Sequence, residues 1–152
     1  MKSFFTIVSL ILILASCSQK TAFSKFNMSK ADSLGENSLQ SSKVTLNGKV
    51  DGVVSVVYLN SVYPKIYNNK EYFFVYYFLK DKKNVKFILN SQVPVKIIRL
   101  KPINQFSSLI HSQSKWNKYY LVEFKKSTKN LKFLFKNNEA SSNILIYNKD
   151  ED

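Results

Sequence analysis

Glu71-Tyr72-Phe73-Phe74-Val75-Tyr76-Tyr77-Phe78-Leu79 is the most apolar run between Lys43 and Tyr147. Aromatic and β-branched residues in a short run bounded by polar residues predict a strand. Side chains alternate across a strand, so Phe73, Val75, Tyr77 and Leu79 share one face and Tyr72, Phe74, Tyr76 and Phe78 the other. Both faces are apolar, and both need cover. The simplest account is a central strand with the core on one side and residues 103–110, or a curl of the sheet, on the other. A second account leaves Tyr72, Phe74, Tyr76 and Phe78 partly open as a strip for an acyl chain, a glycan or a protein partner. Exposed apolar patches mark binding sites, and tyrosine suits half-wet surfaces because its ring is apolar and its hydroxyl stays hydrated.

The same kind of run recurs outward from this strand, about every ten residues. Val44, Leu46 and Val50 alternate with Thr45, Asn47 and Lys49, and Asp51-Gly52 supplies the residues a tight hairpin loop prefers before a strand over Val53–Leu59. Asp81-Lys82-Lys83-Asn84 turns Glu71–Leu79 into Val85–Leu89 as a second hairpin. Val95–Leu100 is stopped by Pro102, which cannot donate to a ladder. Residues 103–114 lack strand alternation and predict a short helix or a loop over an open end of the core. Tyr119–Phe124, Leu131–Phe135 and Ile144–Tyr147 complete the set, with Leu131, Phe133 and Phe135 facing in and Lys132 and Lys136 facing out. Roughly seven to eight antiparallel strands at this spacing predict an all-β immunoglobulin-like sandwich over residues 43–148. The expectation is architectural only: Trp116 precedes a strand, and no cysteine pair joins the sheets. An acidic tail, residues 149–152, follows.

The front of the chain has a different character. Lys2 precedes a largely apolar run from Phe4 to Ile13, and Leu14-Ala15-Ser16-Cys17 places small residues directly before the only cysteine. A basic start, an apolar core and a small-residue cleavage site describe a secretory signal, and the run is shorter than the ~20 apolar residues a membrane span needs. The arrangement resembles the lipobox of bacterial lipoproteins. That resemblance implies a signal peptide over residues 1–16, cleavage before Cys17, diacylglycerol on its thiol and acylation of the freed amine. Two chains or more hold stably where one holds marginally, so the implied protein is tethered to a membrane. Ser18, rather than Asp, after the cysteine points by resemblance to the outer membrane. Residues 17–42, rich in Ser, Lys and Asn, read as the lipidated start and a flexible tether, with a short helix conceivable over Ala31–Leu39.

Composition narrows the function further. The 152 residues carry 23 basic and 10 acidic side chains, a net charge of +13, and loss of Lys2 with the signal peptide leaves +12. With Cys17 taken by the anchor, the mature domain has no thiol for a disulfide or a metal. His111 is the only histidine, among Ser107, Ser108, Ser112 and Ser114, with no acid nearer than Asp81 and Glu123. A serine hydrolase needs a base and an orienting carboxylate beside its nucleophile, and one histidine cannot build a typical catalytic zinc site. The chain is therefore expected to be no enzyme and to hold no cofactor or metal.

Lys86, Lys96, Lys118, Lys132 and Lys136 fall within or at the ends of strands, beside Lys82, Lys83, Lys125, Lys126 and Lys129 in the turns. A basic patch follows, suited to anionic lipid or lipopolysaccharide phosphates. The rival account is coding by AT-rich DNA, since 22 of the 23 basic residues are Lys and Asn, Ile, Phe and Tyr are also plentiful. Nucleic acid is not an expected partner, because the chain is exported and only Arg99 offers a guanidinium fork. The expected function is a non-catalytic, membrane-anchored envelope lipoprotein that binds or scaffolds an envelope protein or anionic lipid. The alternative is a lipid or lipopolysaccharide carrier or assembly factor with an aromatic-lined groove.

Overall fold

The structure, a computed structural model, describes residues 35, 38–81, 84–110 and 113–149. The signal peptide, Cys17, nearly all of the tether, Lys82, Lys83, His111, Ser112 and the last three tail residues lie outside them. Nine strands occur among the described residues: β1 (Leu39–Leu46), β2 (Lys49–Tyr58), β3 (Glu71–Leu79), β4 (Val85–Leu89), β5 (Lys96–Leu100), β6 (Lys118–Phe124), β7 (Leu131–Asn137), β8 (Ala140–Ser141) and β9 (Leu145–Tyr147). One helical turn, α1 (Leu59–Val62), follows β2, and a single 3-10 turn covers Ser107–Leu109. β1 thus begins at Leu39, inside the stretch read as tether.

All pairings are antiparallel, and they run without a break in the order β4-β7-β8-β1-β2-β3-β6-β5, with β9 also on β7. This corrects the immunoglobulin-like sandwich. A sandwich needs two separate ladders, whereas here Ser141 of β8 pairs with both Thr45 of β1 and Lys136 of β7, joining the two arms into one curled sheet, a half-barrel. Alternation misses the difference because a curled sheet and a sandwich bury the same inward side chains.

Two hairpins also move. The first turn is Asn47-Gly48, not Asp51-Gly52: both Asn47 (φ 49°) and Gly48 (φ 75°) are left-handed, as a two-residue type I′ loop requires. Asp51 becomes the extra residue of a bulge, since Thr45 opposes Val50 while Val44 opposes Gly52. Bulges bend a strand and increase its twist, and this one lies where the sheet curls. Gly52 is needed for close approach, because a Cβ there would sit 2.1 Å from the Phe78 carbonyl oxygen. The second expected hairpin does not form. β3 pairs with β2 and β6, and β4 crosses to β7.

The concave side carries the main core. Phe73, Phe124, Phe133, Phe135, Val54, Val56 and Val75 are fully buried there. Rings from opposite arms meet directly: Phe73 and Phe133 centroids are 5.1 Å apart, Tyr77 and Phe135 4.9 Å. Leu131, Phe133 and Phe135 face in, as expected. Gln40 closes the gap between β1 and β9 with its side chain, donating to the Ile146 carbonyl (2.5 Å) and accepting from its N–H (3.2 Å).

A second cluster covers the convex side of β2, β3 and β6. Leu59 and Val62 of α1 and Phe106, Leu109 and Ile110 of the β5–β6 connection pack on Val57, Phe74, Tyr119 and Leu121. The connection holds its shape by local bonds. Asn104 accepts the Phe106 N–H at 2.9 Å, and the Tyr119 hydroxyl donates to the Ser114 carbonyl and accepts its N–H, both at 2.9 Å. So the central strand β3 is covered on its concave face and over most of its convex face, where α1 and residues 106–110 supply the cover and Phe78 stays open.

Candidate interaction surfaces

The expected strip Tyr72, Phe74, Tyr76, Phe78 lies along the convex face of β3 and grades from covered to open. Phe74 is buried beneath Phe106, ring centroids 5.2 Å apart. Tyr72 is half-buried against Tyr67 (4.9 Å) and donates its hydroxyl to Asn69 Oδ1. Tyr76, also half-buried, stacks on Tyr119 at 6.1 Å; burial raises its hydroxyl above the usual value, and the Ser55 hydroxyl opposes that shift. Phe78 alone is exposed, at 44%, opposite the exposed Val53.

The five lysines divide. Lys86 of β4 stands directly opposite Lys136 of β7, and Lys132 lies further along β7, opposite Ile146 of β9. By alternation these three point outward, opposite to the inward Phe87, Phe133 and Phe135. Like charges directly opposite in a sheet disfavour folding, and no carboxylate pairs with any of the three among the described residues. Between them lie Ile88 and Leu134, half-buried and paired with each other, and the exposed Ile144 and Ile146. Lys96 and Lys118 go elsewhere. Lys96 stands opposite Glu123 in the ladder, whose carboxylate holds Lys70 at 3.1 Å, and Lys118 stands opposite Tyr77 near the far end of the concave side. The sequence reading passed over Ile144 and Ile146. Ile144-Leu145-Ile146-Tyr147 is apolar on both faces, and since Leu145 and Tyr147 are buried, the isoleucines are left outside.

A polar cluster at one end of the half-barrel was also passed over. Glu71, at the start of β3, is fully buried, and its carboxylate accepts the Tyr58 hydroxyl at 2.7 Å, the Ser127 N–H at 2.8 Å and the Lys149 ammonium at 2.5 Å. Lys149 also donates to the Ser127 carbonyl. Every carboxylate partner is thus structural: one glutamate ties β2, the β6–β7 turn and the chain's last described residue together. Burial, then the bond to Glu71 and its charge, push the Tyr58 hydroxyl far up. The sequence signal was a lone acid opening an otherwise apolar strand.

Among the described residues no group of three or more His, Cys, Asp or Glu is placed to hold a metal ion, and no helix is long and apolar enough to cross a membrane. Trp116 is 69% exposed with the Lys115 ammonium 5.7 Å from its ring centroid, so it is not a buried strand tryptophan. Cys17 and His111 lie outside the described residues. No protein-family model matches the chain, nor does any curated protein or solved structure.

Proposed function

We propose that the chain is a lipid-anchored envelope lipoprotein whose folded domain is a non-catalytic binding module, docking on anionic headgroups through the outer face of β4, β7 and β9. The observation that carries this reading is the juxtaposition of Lys86, Lys132 and Lys136 around Ile88, Leu134, Ile144 and Ile146. Cations beside exposed aliphatic side chains suit the boundary between phosphate and acyl chain. A tether from Cys17 would hold that face near a lipid surface, where a weak surface attraction suffices. The packed aromatic interior supports a binding module over a carrier, which needs room for acyl chains.

The test uses residues 18–152 with vesicles of phosphatidylglycerol or phosphatidylcholine at low and high salt. At about 1 kcal/mol for each lysine at an anionic surface, the face contributes roughly 3 kcal/mol. Reversing Lys86, Lys132 and Lys136 to Glu should weaken binding at least ~100-fold. Reversing Lys96 and Lys118 should matter less. Equal or absent binding to both vesicles would leave the charge as a consequence of composition. In cells, Cys17→Ala should abolish covalent lipid; lipid still carried by the variant would sink the anchor.

A further inference from the structure

The sheet has two ends that pair with nothing further, and they approach each other. β4 and β5 end the strand order, and Phe87 of β4 meets Tyr120, beside β5, with ring centroids 5.6 Å apart. Between them is an open slot of about 430 Å3, lined by Val85, Lys86, Phe87, Ile97, Tyr77 and Tyr120 among others.

The direction of the free backbone groups follows from the register. At the end of β3 the Lys80 N–H bonds the Asp51 carbonyl, so even-numbered residues of β3 turn toward β2 and odd-numbered ones toward β6. Tyr119, Leu121 and Glu123 of β6 then turn toward β5 and pair with Leu100, Ile98 and Lys96, which leaves Ile97 and Arg99 with N–H and C=O outward. In β4 the Asn84 carbonyl accepts the Asn138 N–H and the Asn90 N–H bonds the Lys132 carbonyl, so even-numbered residues turn toward β7. Val85 and Phe87 therefore face the seam. None of these outward groups is bonded elsewhere among the described residues. Two rows of unpaired backbone groups border one slot, and such rows are templates for another strand.

Tyr77 adds an independent observation. It is 1% exposed, lines the slot, and its hydroxyl, with Tyr120 beside it, makes no hydrogen bond of good geometry. A buried hydroxyl left unpaired costs free energy, which a ligand able to bond it would recover. Ile97 of β5 is half exposed although it points to the concave side, so its cover is incomplete. No carboxylate lines the slot, while Lys86 forms part of its wall and the exposed Arg99 and Lys96 lie on β5.

We propose that the seam between β4 and β5 is a strand-addition site for an extended acidic polypeptide segment. Its backbone pairs with a free edge, successive side chains on its inner face, one apolar and one acidic, meet Ile97 and then Arg99 with the Tyr77 hydroxyl, and a carboxylate on its outer face meets Lys86. Backbone pairing supplies affinity and the alternate side chains supply choice of partner. Lysines on sheet edges also repel unwanted strands, but the same charges admit an acidic one. The site stands apart from the proposed lipid-docking face, with Lys86 alone common to both.

The test uses the full lipidated chain in neutral phosphatidylcholine nanodiscs. The probes are a labelled peptide repeating Val-Val-Glu-Glu, which carries Val and Glu in turn on each face, one repeating Val-Val-Lys-Lys, and palmitate. The acidic peptide should bind, weaken with salt, and slow amide exchange at Val85 and Phe87 or at Ile97 and Arg99, without changing Lys96, Ile98 or Leu100. Arg99→Glu should cut affinity at least ~10-fold. Tyr77→Phe should weaken binding without lowering stability, and Lys132→Glu with Lys136→Glu should leave binding unchanged. Absent peptide binding would assign the edge lysines to repulsion alone. Equal binding of both peptides, binding without the alternating protection, or displacement by palmitate would equally overturn the proposal.

Discussion

Two tyrosine hydroxyls, removed by the same Tyr→Phe change, should move stability in opposite directions. Tyr77 and Tyr147 are both buried, at 1% and 5% exposure, and both rings belong to the concave core. The Tyr147 hydroxyl donates to the Val56 carbonyl at 2.7 Å, whereas the Tyr77 hydroxyl makes no hydrogen bond of good geometry. A typical buried hydrogen bond contributes about 1 kcal/mol net, and an unmade one costs about 1–3 kcal/mol of desolvation. Tyr147→Phe deletes a made bond and should destabilise by about 1–2 kcal/mol. Tyr77→Phe deletes an unmade one while keeping the ring stacked on Tyr120, parallel within 1° at 5.8 Å, and should stabilise by about 1 kcal/mol. The lower end of the range applies because the slot beside Tyr77 is open. The measurement is urea unfolding followed by far-ultraviolet circular dichroism, since Trp116 is too exposed to report on the core. Midpoints should separate by about 2–3 kcal/mol at unchanged denaturant slope. If both variants lose stability alike, the Tyr77 hydroxyl is satisfied in solution and the argument for an unfilled partner at the seam fails.

Two further outcomes follow. Glu71→Gln keeps the shape but removes the charge and presents a donor where three donors already converge, so it should destabilise by about 2–4 kcal/mol, below the full loss of a buried pair because Lys149 can swing into water; a change under about 0.5 kcal/mol, typical of a surface site, would show the cluster to be loose. Alkaline titration should unfold the domain cooperatively. Burial holds the Tyr58, Tyr77 and Tyr147 hydroxyls above the ordinary value of 10.0. A folded-state value raised in this way means that their contribution is intact below pH ~10 and is lost as pH rises, by up to ~1.4 kcal/mol per unit for each group. Phenolate absorbance from these three should therefore appear together with loss of β-sheet dichroism. Gradual ionisation near pH 10 in a folded protein would contradict their burial.

What could be read from the sequence, and what could not, divides along local and non-local lines. The bounds of β3 and β4 and the inward set Leu131, Phe133 and Phe135 follow from alternation, which each strand carries within itself. Asn47-Gly48 and Asp51-Gly52 are both competent turn pairs, and the choice between them depends on register with a partner strand. The turn at Asn47-Gly48 brings Val44, Val54 and Val56 onto one face, and the bulge at Asp51 absorbs the residue left over. The expected β3–β4 hairpin does not form because nearness along the chain is not nearness in the sheet, and β4 pairs with β7 about fifty positions later. The lysines show the same division. Alternation placed Lys132 and Lys136 outward, but only the β4–β7 pairing sets Lys86 beside Lys136 and sends Lys96 to Glu123.

The two gaps in the half-barrel sharpen the case for the seam. A curled sheet must end somewhere, and an unpaired end is a hazard that chains blunt. At the β1–β9 gap the chain uses Gln40, whose amide occupies both backbone groups of Ile146 as a neighbouring strand would. At the β4–β5 gap, among the described residues, no side chain does the same for Val85, Phe87, Ile97 or Arg99. The chain does guard part of this region: Leu89 exchanges both its backbone bonds with Gln92 through the tight turn at Asn90-Ser91, which ends β4. Blunting at β9 and at the tip of β4, beside an open row on each remaining edge and an unpaired phenol between them, is the pattern expected where closure is supplied by another polypeptide.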